Sequence, residues 1–207
     1  MKAQTVSKPA KADPCSDARC ARDRIFDTAR DLFYKQGIRA VGVETIANEA
    51  ATTKMSLYRH FPSKDDLTAE CLKADRQEFQ QWWEETIAPH TGNPRKQLEA
   101  LFQAFQSKAC KGEGESRGCP LANAAVEITD PKHPARKVVI EHKTDIRRRL
   151  QTLCKEMGAR RPEKLGDALM LLMEGASTSR LVFGADGPTQ VVWKAAAALI
   201  DVEKSAI

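Results

Sequence analysis

Between Val43 and Lys64 the chain reads VETIANEAATTKMSLYRHFPSK, a set of side chains suited to touching duplex nucleic acid rather than to breaking bonds. The phenol of Tyr58 and the hydroxyl of Thr45 can hydrogen-bond phosphate, and Lys64 can add its charge to the free N–H groups of a helix end. Lys54 suits the guanine acceptors, Ser56 is a second base reader, and Met55 can lie against a thymine methyl. Arg59 and His60 can reach base or backbone. Two readings stand at Tyr58, phosphate contact or packing, and two at Arg59, DNA or solvent.

Those side chains need two short helices and a tight turn to position them. Val43, Ile46 and Ala47 recur at helical spacing, and Ala50-Ala51 leads into the turn. Thr53 is placed to cap a second helix, Lys54 to Phe61, that buries Leu57 and Phe61. Pro62 stops it. Ser63 caps the next helix, whose positive end receives Asp65 and Asp66. A compact helix pair with a positive, polar second member fits a DNA major groove.

This run resembles the DNA-binding domain of the TetR family of transcriptional regulators. The resemblance spans Arg24 to Leu72 and rests on Ile46-Ala47, Thr53-Lys54, Leu57-Tyr58-Arg59-His60-Phe61 and Ser63-Lys64-Asp65-Asp66-Leu67. Two positions depart from the family pattern: Ala51 stands where glycine is usual and Thr52 where valine is usual. A left-handed turn residue there costs Ala about 1 kcal/mol relative to Gly. The resemblance implies phosphate contacts at Thr45, Tyr58 and Lys64, and an all-α fold with a C-terminal domain for ligand binding and dimerisation.

Charge agrees with that reading. Residues 1–64 hold 12 Lys+Arg and 7 Asp+Glu, while residues 65–207 hold 21 of each, so the whole net charge of +5 lies in the first part. No apolar run is long enough to span a membrane, and the first 20 residues lack a signal-peptide core, so a reducing cytoplasm is expected. Six cysteines, at 15, 20, 71, 110, 119 and 154, show no metal-ligand spacing; no metal or cofactor is expected. No nucleophile–base pair or phosphate loop points to an enzyme.

Three segments follow from the pattern: a polar tail at 1–16, the helix-turn-helix at 17–64, and the ligand-binding and dimerisation part at 65–207. The tail reads either as inert or as a basic arm on DNA. Arg19 and Arg22 read either as phosphate contacts or as partners of Asp17 and Asp23. Past residue 65 the chain reads as helices punctuated by Pro89, Pro94, Pro120, Pro134, Pro162 and Pro188. Phe79, Trp82, Trp83, Phe102, Phe105, Met170, Met173 and Phe183, with polar Asn123, Glu127, His142 and Glu174, are either core or the wall of the small-molecule cavity that the resemblance implies. The last two helices carry apolar stripes, Leu165, Leu169, Leu172 and Ala176, then Val191, Val192, Ala195 and Leu199. They pack on the chain's own core or, as the resemblance implies, form a four-helix homodimer interface. The consecutive Arg147, Arg148 and Arg149 read as a solvated face.

Cys119, between Gly118 and Pro120, falls at a helix N-terminus, where the dipole favours a thiolate. It is either a structural cap or a redox switch. The expectation is therefore a dimeric repressor that binds a palindromic operator and is released by an effector. A cysteine-switched regulator, a helical enzyme and a non-specific DNA-packaging protein are its rivals.

Overall fold

The computed structural model describes residues 14–110 and 117–204. The described residues form nine α-helices and no strand: α1 Pro14–Gln36, α2 Val43–Glu49, α3 Lys54–His60, α4 Lys64–Ile87, α5 Pro94–Cys110, α6 Pro120–Glu127, α7 Pro134–Glu156, α8 Pro162–Phe183 and α9 Val192–Lys204. Proline occupies the first position of α5, α6, α7 and α8, where its missing N–H costs nothing. Most of the expected tail, residues 1–13, lies outside the described residues, as do residues 111–116 and 205–207.

Local chemistry sets the helix ends around the turn. Gly37 closes α1 at φ +93°, a conformation that L side chains rarely adopt. The Thr53 hydroxyl accepts from Ser56 N at 3.1 Å, and Ser63 Oγ accepts from Asp66 N at 3.0 Å, as the sequence leads one to expect.

Two apolar cores result, and the first runs on past residue 64. The first joins Ile25, Leu32 and Phe33 of α1 to Ile46, Leu57, Phe61, Leu67 and Leu72, and continues into Leu121 and Ala124 of α6 and Val138 of α7. The second gathers Trp83, Leu98, Phe102, Ile146, Leu150, Leu169, Met173, Val192 and Ile200. Helices α4 and α7 run through both, as two pillars. They are laced by polar pairs, Arg76 to Glu141 at 2.6 Å and Arg149 to Glu84, while Arg149 also pairs with Asp145 within α7. Arg147 reaches Asp167 of α8 at 2.6 Å. Arg147 and Arg149 thus tie α7 to its neighbours, while Arg148 is 73% exposed and pairs with Asp145 of its own helix. No helix of the described residues is long and apolar enough to cross a membrane.

Candidate nucleic-acid interface

The helix-turn-helix turn is built by backbone hydrogen bonds. Thr52 N donates to Ala47 O at 2.9 Å and Ala51 N donates to Asn48 O at 3.0 Å, the paired bonds of a Schellman motif closing α2. Its left-handed residue is Ala51, at φ +47°, the one non-glycine with positive φ among the described residues. The turn therefore keeps its geometry without the glycine. Arg24 of α1 braces it, Nε donating to Ala50 O at 3.3 Å.

Helix α3 turns Leu57 inward, at 0% exposure, and Phe61 follows it into the core. Met55 is 76% exposed and Tyr58 42%; Lys54, Arg59 and Thr45 are also exposed, with Ser56 and His60 half-buried. Most of the expected DNA-reading residues are thus exposed. Two of them are placed differently from a free side chain. Lys54 Nζ donates to Glu44 Oε1 of α2 at 3.0 Å, and that hydrogen bond holds the ammonium more firmly protonated than usual. Lys64 is half-buried, lying over the Phe33 ring at 5.9 Å, and burial pulls its pKa below the ordinary lysine value. Arg22 leans over Phe61 at 5.0 Å and lies 3.9 Å from Glu70 of α4.

The far end of α1 is held by α6. Arg117 Nη1 donates to Lys35 O at 2.6 Å, the Tyr34 hydroxyl donates to Gly118 O at 3.3 Å, and the Glu127 carboxylate accepts from Arg39 N at 3.0 Å. Asn123 donates to Arg117 O at 2.7 Å. Asn123 and Glu127, grouped in the sequence reading with the aromatic wall, belong to this seam instead. They border a small cavity of ≈ 20 Å³ between α1, α4 and α6 that also touches Cys71 and Asp75. Cys119 is the N-cap residue of α6, half-buried against the first core, and its thiol makes no capping hydrogen bond. Burial pushes the thiols of Cys71 and Cys154 up to about 12, so both are inert at neutral pH.

The remaining candidates lie around the second core. Phe79 packs on Trp82 at 5.3 Å, on Trp83 at 6.1 Å and edge-on to His142 at 4.9 Å. Trp83, Phe102 and Met173 are core residues; Phe105 and Met170 are partly buried against them. Glu174 is engaged by Lys143 at 2.6 Å. His142 is 2% exposed with its Nε2 unpartnered, and burial, then the neighbouring Lys143 and Arg76 charges, lower its pKa to about 4.

Of the expected interface residues, Leu165, Leu169, Ala176 and Val192 are buried in the chain's own core. Leu172 and Ala195 are half-buried. The large apolar residues that α8, α9 and the turn before α9 expose are Leu171, Leu181, Val182, Phe183, Val191, Leu199 and Val202. The sequence stripe favoured the inward face because the largest continuous apolar run on a helix is the one that fills its own core.

Residues 25–71 match the family model described as bacterial regulatory proteins of the tetR family, and residues 94–196 match the tetracyclin repressor-like C-terminal domain. The chain belongs to the TetR family. A solved TetR-family transcriptional regulator from Streptomyces coelicolor superposes with a TM-score of 0.77 at 27% identity, covering 89% of this chain and 94% of that one. A second solved regulator of this type, from Streptomyces avermitilis, gives 0.75 at 29% identity over 88% and 97%. The transcriptional repressor KstR2 of Mycobacterium tuberculosis is 34% identical over 86 residues, 40% of this chain. That match spans only 41% of KstR2. TetR proteins are DNA-binding transcriptional regulators, not enzymes.

Proposed function

We propose that this TetR protein is a dimeric repressor that binds a palindromic operator in the cytoplasm and is released when a small molecule occupies its helical body. The observation that carries the reading is the outer face of α3, where Lys54, Met55, Tyr58 and Arg59 stand exposed while Leu57 anchors the helix from behind. One short reading helix contacts few base pairs, so a second copy is needed for a long, specific site. The exposed apolar residues of α8 and α9 supply a surface for that copy. Phosphate contact falls to Thr45, Tyr58 and Lys64, base contact to Lys54, Met55 and Ser56. The effector is expected beside Phe79, Trp82, Phe105 and Met170, in the body. By linkage, a ligand that favours the head spacing unfit for DNA weakens DNA binding by the same coupling energy.

Selection of random duplex DNA with the purified protein at physiological salt tests this. A pseudo-palindrome with each mismatch costing about 1–3 kcal/mol supports an operator-binding dimer. Binding without sequence preference overturns it.

A second reading, a cysteine-switched regulator, is favoured by the position of Cys119. Cys119 is half-buried against the first core and follows Arg117 and Gly118, which bond Lys35 and Tyr34, so an added oxygen or alkyl group would disturb that packing. Oxidant-induced release from DNA that survives Cys119→Ser sinks that reading.

A further inference from the structure

Glu44 is the acidic residue of the reading surface that the function above leaves unused. It stands in the first turn of α2 with its side chain 78% exposed, and its Oε1 accepts from Lys54 Nζ, the first residue of the reading helix, at 3.0 Å. A pair this exposed contributes little to folding. Against DNA a carboxylate is also unfavourable, because each phosphate it approaches repels it. The residue thus works against affinity unless it meets a hydrogen-bond donor, and the donor that a major groove offers a carboxylate is the N4 amino group of cytosine.

The geometry assigns Glu44 as a specificity-determining residue: one oxygen tethers the Lys54 ammonium toward the O6 and N7 of a guanine, and the other accepts from the N4 amino group of a cytosine in the same half-site. This rests on the operator-binding reading above. The chemistry of the pair is complementary. An ammonium has three donors, so the bond to Glu44 leaves two for guanine. A lysine without that tether swings on a four-carbon stem and settles on the nearest phosphate, which carries no sequence information. Glu44 therefore converts a general attraction into a base preference and lowers affinity for random DNA. Met55, 76% exposed beside Lys54, extends the same surface toward thymine methyls.

The experiment is duplex selection with the wild-type full chain, with Glu44→Ala and with Glu44→Gln, alongside affinity for random duplex over a salt series. Both substitutions are at a highly exposed site, and thermal melts confirm that the variants fold. The wild-type half-site is expected to contain an enriched cytosine and guanine. Glu44→Ala should lose discrimination at the cytosine by roughly tenfold or more. It should also bind random duplex more tightly, with a salt slope steeper by about one as Lys54 moves to phosphate. Glu44→Gln should shift the preference toward adenine, which offers the acceptor and donor that an amide matches. A Glu44→Ala motif unchanged at every position, or a wild-type half-site without a G·C pair, overturns the assignment and leaves operator binding intact. No wild-type motif at all overturns operator binding itself, and this assignment with it.

Discussion

Ala51 holds a left-handed backbone that its β-carbon disfavours, and the two hydrogen bonds of the α2 C-terminus keep it there. Ala51→Gly should raise stability by about 0.5–1 kcal/mol, the relief of αL strain less the extra entropy of an unfolded glycine. Urea titration checks it, and DNA affinity should stay constant because the turn already has its shape. His142 makes the opposite kind of prediction. Its folded pKa of about 4 lies below the unfolded value of about 6.5, so between those two pH values the unfolded chain binds the extra proton. The stability that comes with a neutral imidazole is complete above pH 6.5 and is lost as pH falls toward 4, by up to about 3 kcal/mol. Denaturation of wild type and His142→Leu at pH 7, 5.5 and 4.5 should show that loss in the wild type alone, relative to the background titration both share. Equal pH slopes would refute it. At this scale residue types were legible and partners were not. Lys54 was legible as a cation at the start of a helix, but its bond to Glu44 joins side chains ten positions apart on different helices.

At the scale of elements, capping and proline chemistry made the helices readable, because Thr53, Ser63, Pro94, Pro120 and Pro162 act on their immediate neighbours. What spacing could not show is how closely helices approach. Gly166 of α8 lies so near α7 that an added β-carbon would sit 2.8 Å from the Gln151 backbone nitrogen and 2.6 Å from its side chain. Gly166→Ala should therefore cost about 1–3 kcal/mol, since a backbone neighbour cannot rotate away. A thermal melt reads this, and an unchanged midpoint would mean that α7 and α8 can slide apart. Gly175, on the same helix, meets nothing within 4 Å. The sequence offers two glycines on one helix; only packing distinguishes the one that is structurally required.

In the whole molecule, two cores are strung on α4 and α7, with charged pairs and the buried His142 between them. The helix-turn-helix part shares its core with α6 and with the start of α7, and Glu127 of α6 also accepts from Arg39 N. On the outer side of α8, Leu171 and Val182 are exposed apolar residues and need a partner or remain in water. Leu171→Asp combined with Val182→Asp should leave the monomer folded, because both side chains lie outside its core. Sedimentation should then report a single chain, and operator affinity should fall at least tenfold with the loss of the second head. A double variant that still sediments as a dimer would place the interface elsewhere.

By itself the sequence determined the helix-turn-helix, its caps, the concentration of positive charge in the first 64 residues and the family. Each of these is carried by side chains acting within a turn or two of themselves, or by a sum over residues that needs no coordinates. Tertiary structure decided which face of α8 is core and which is surface, that Asn123 and Glu127 serve the seam with α1 rather than the aromatic cluster, and that Lys54 is held by Glu44. Those depend on how helices rotate about their axes when two cores fill. Rotation is set by the summed packing of residues far apart in the chain, which no local spacing records.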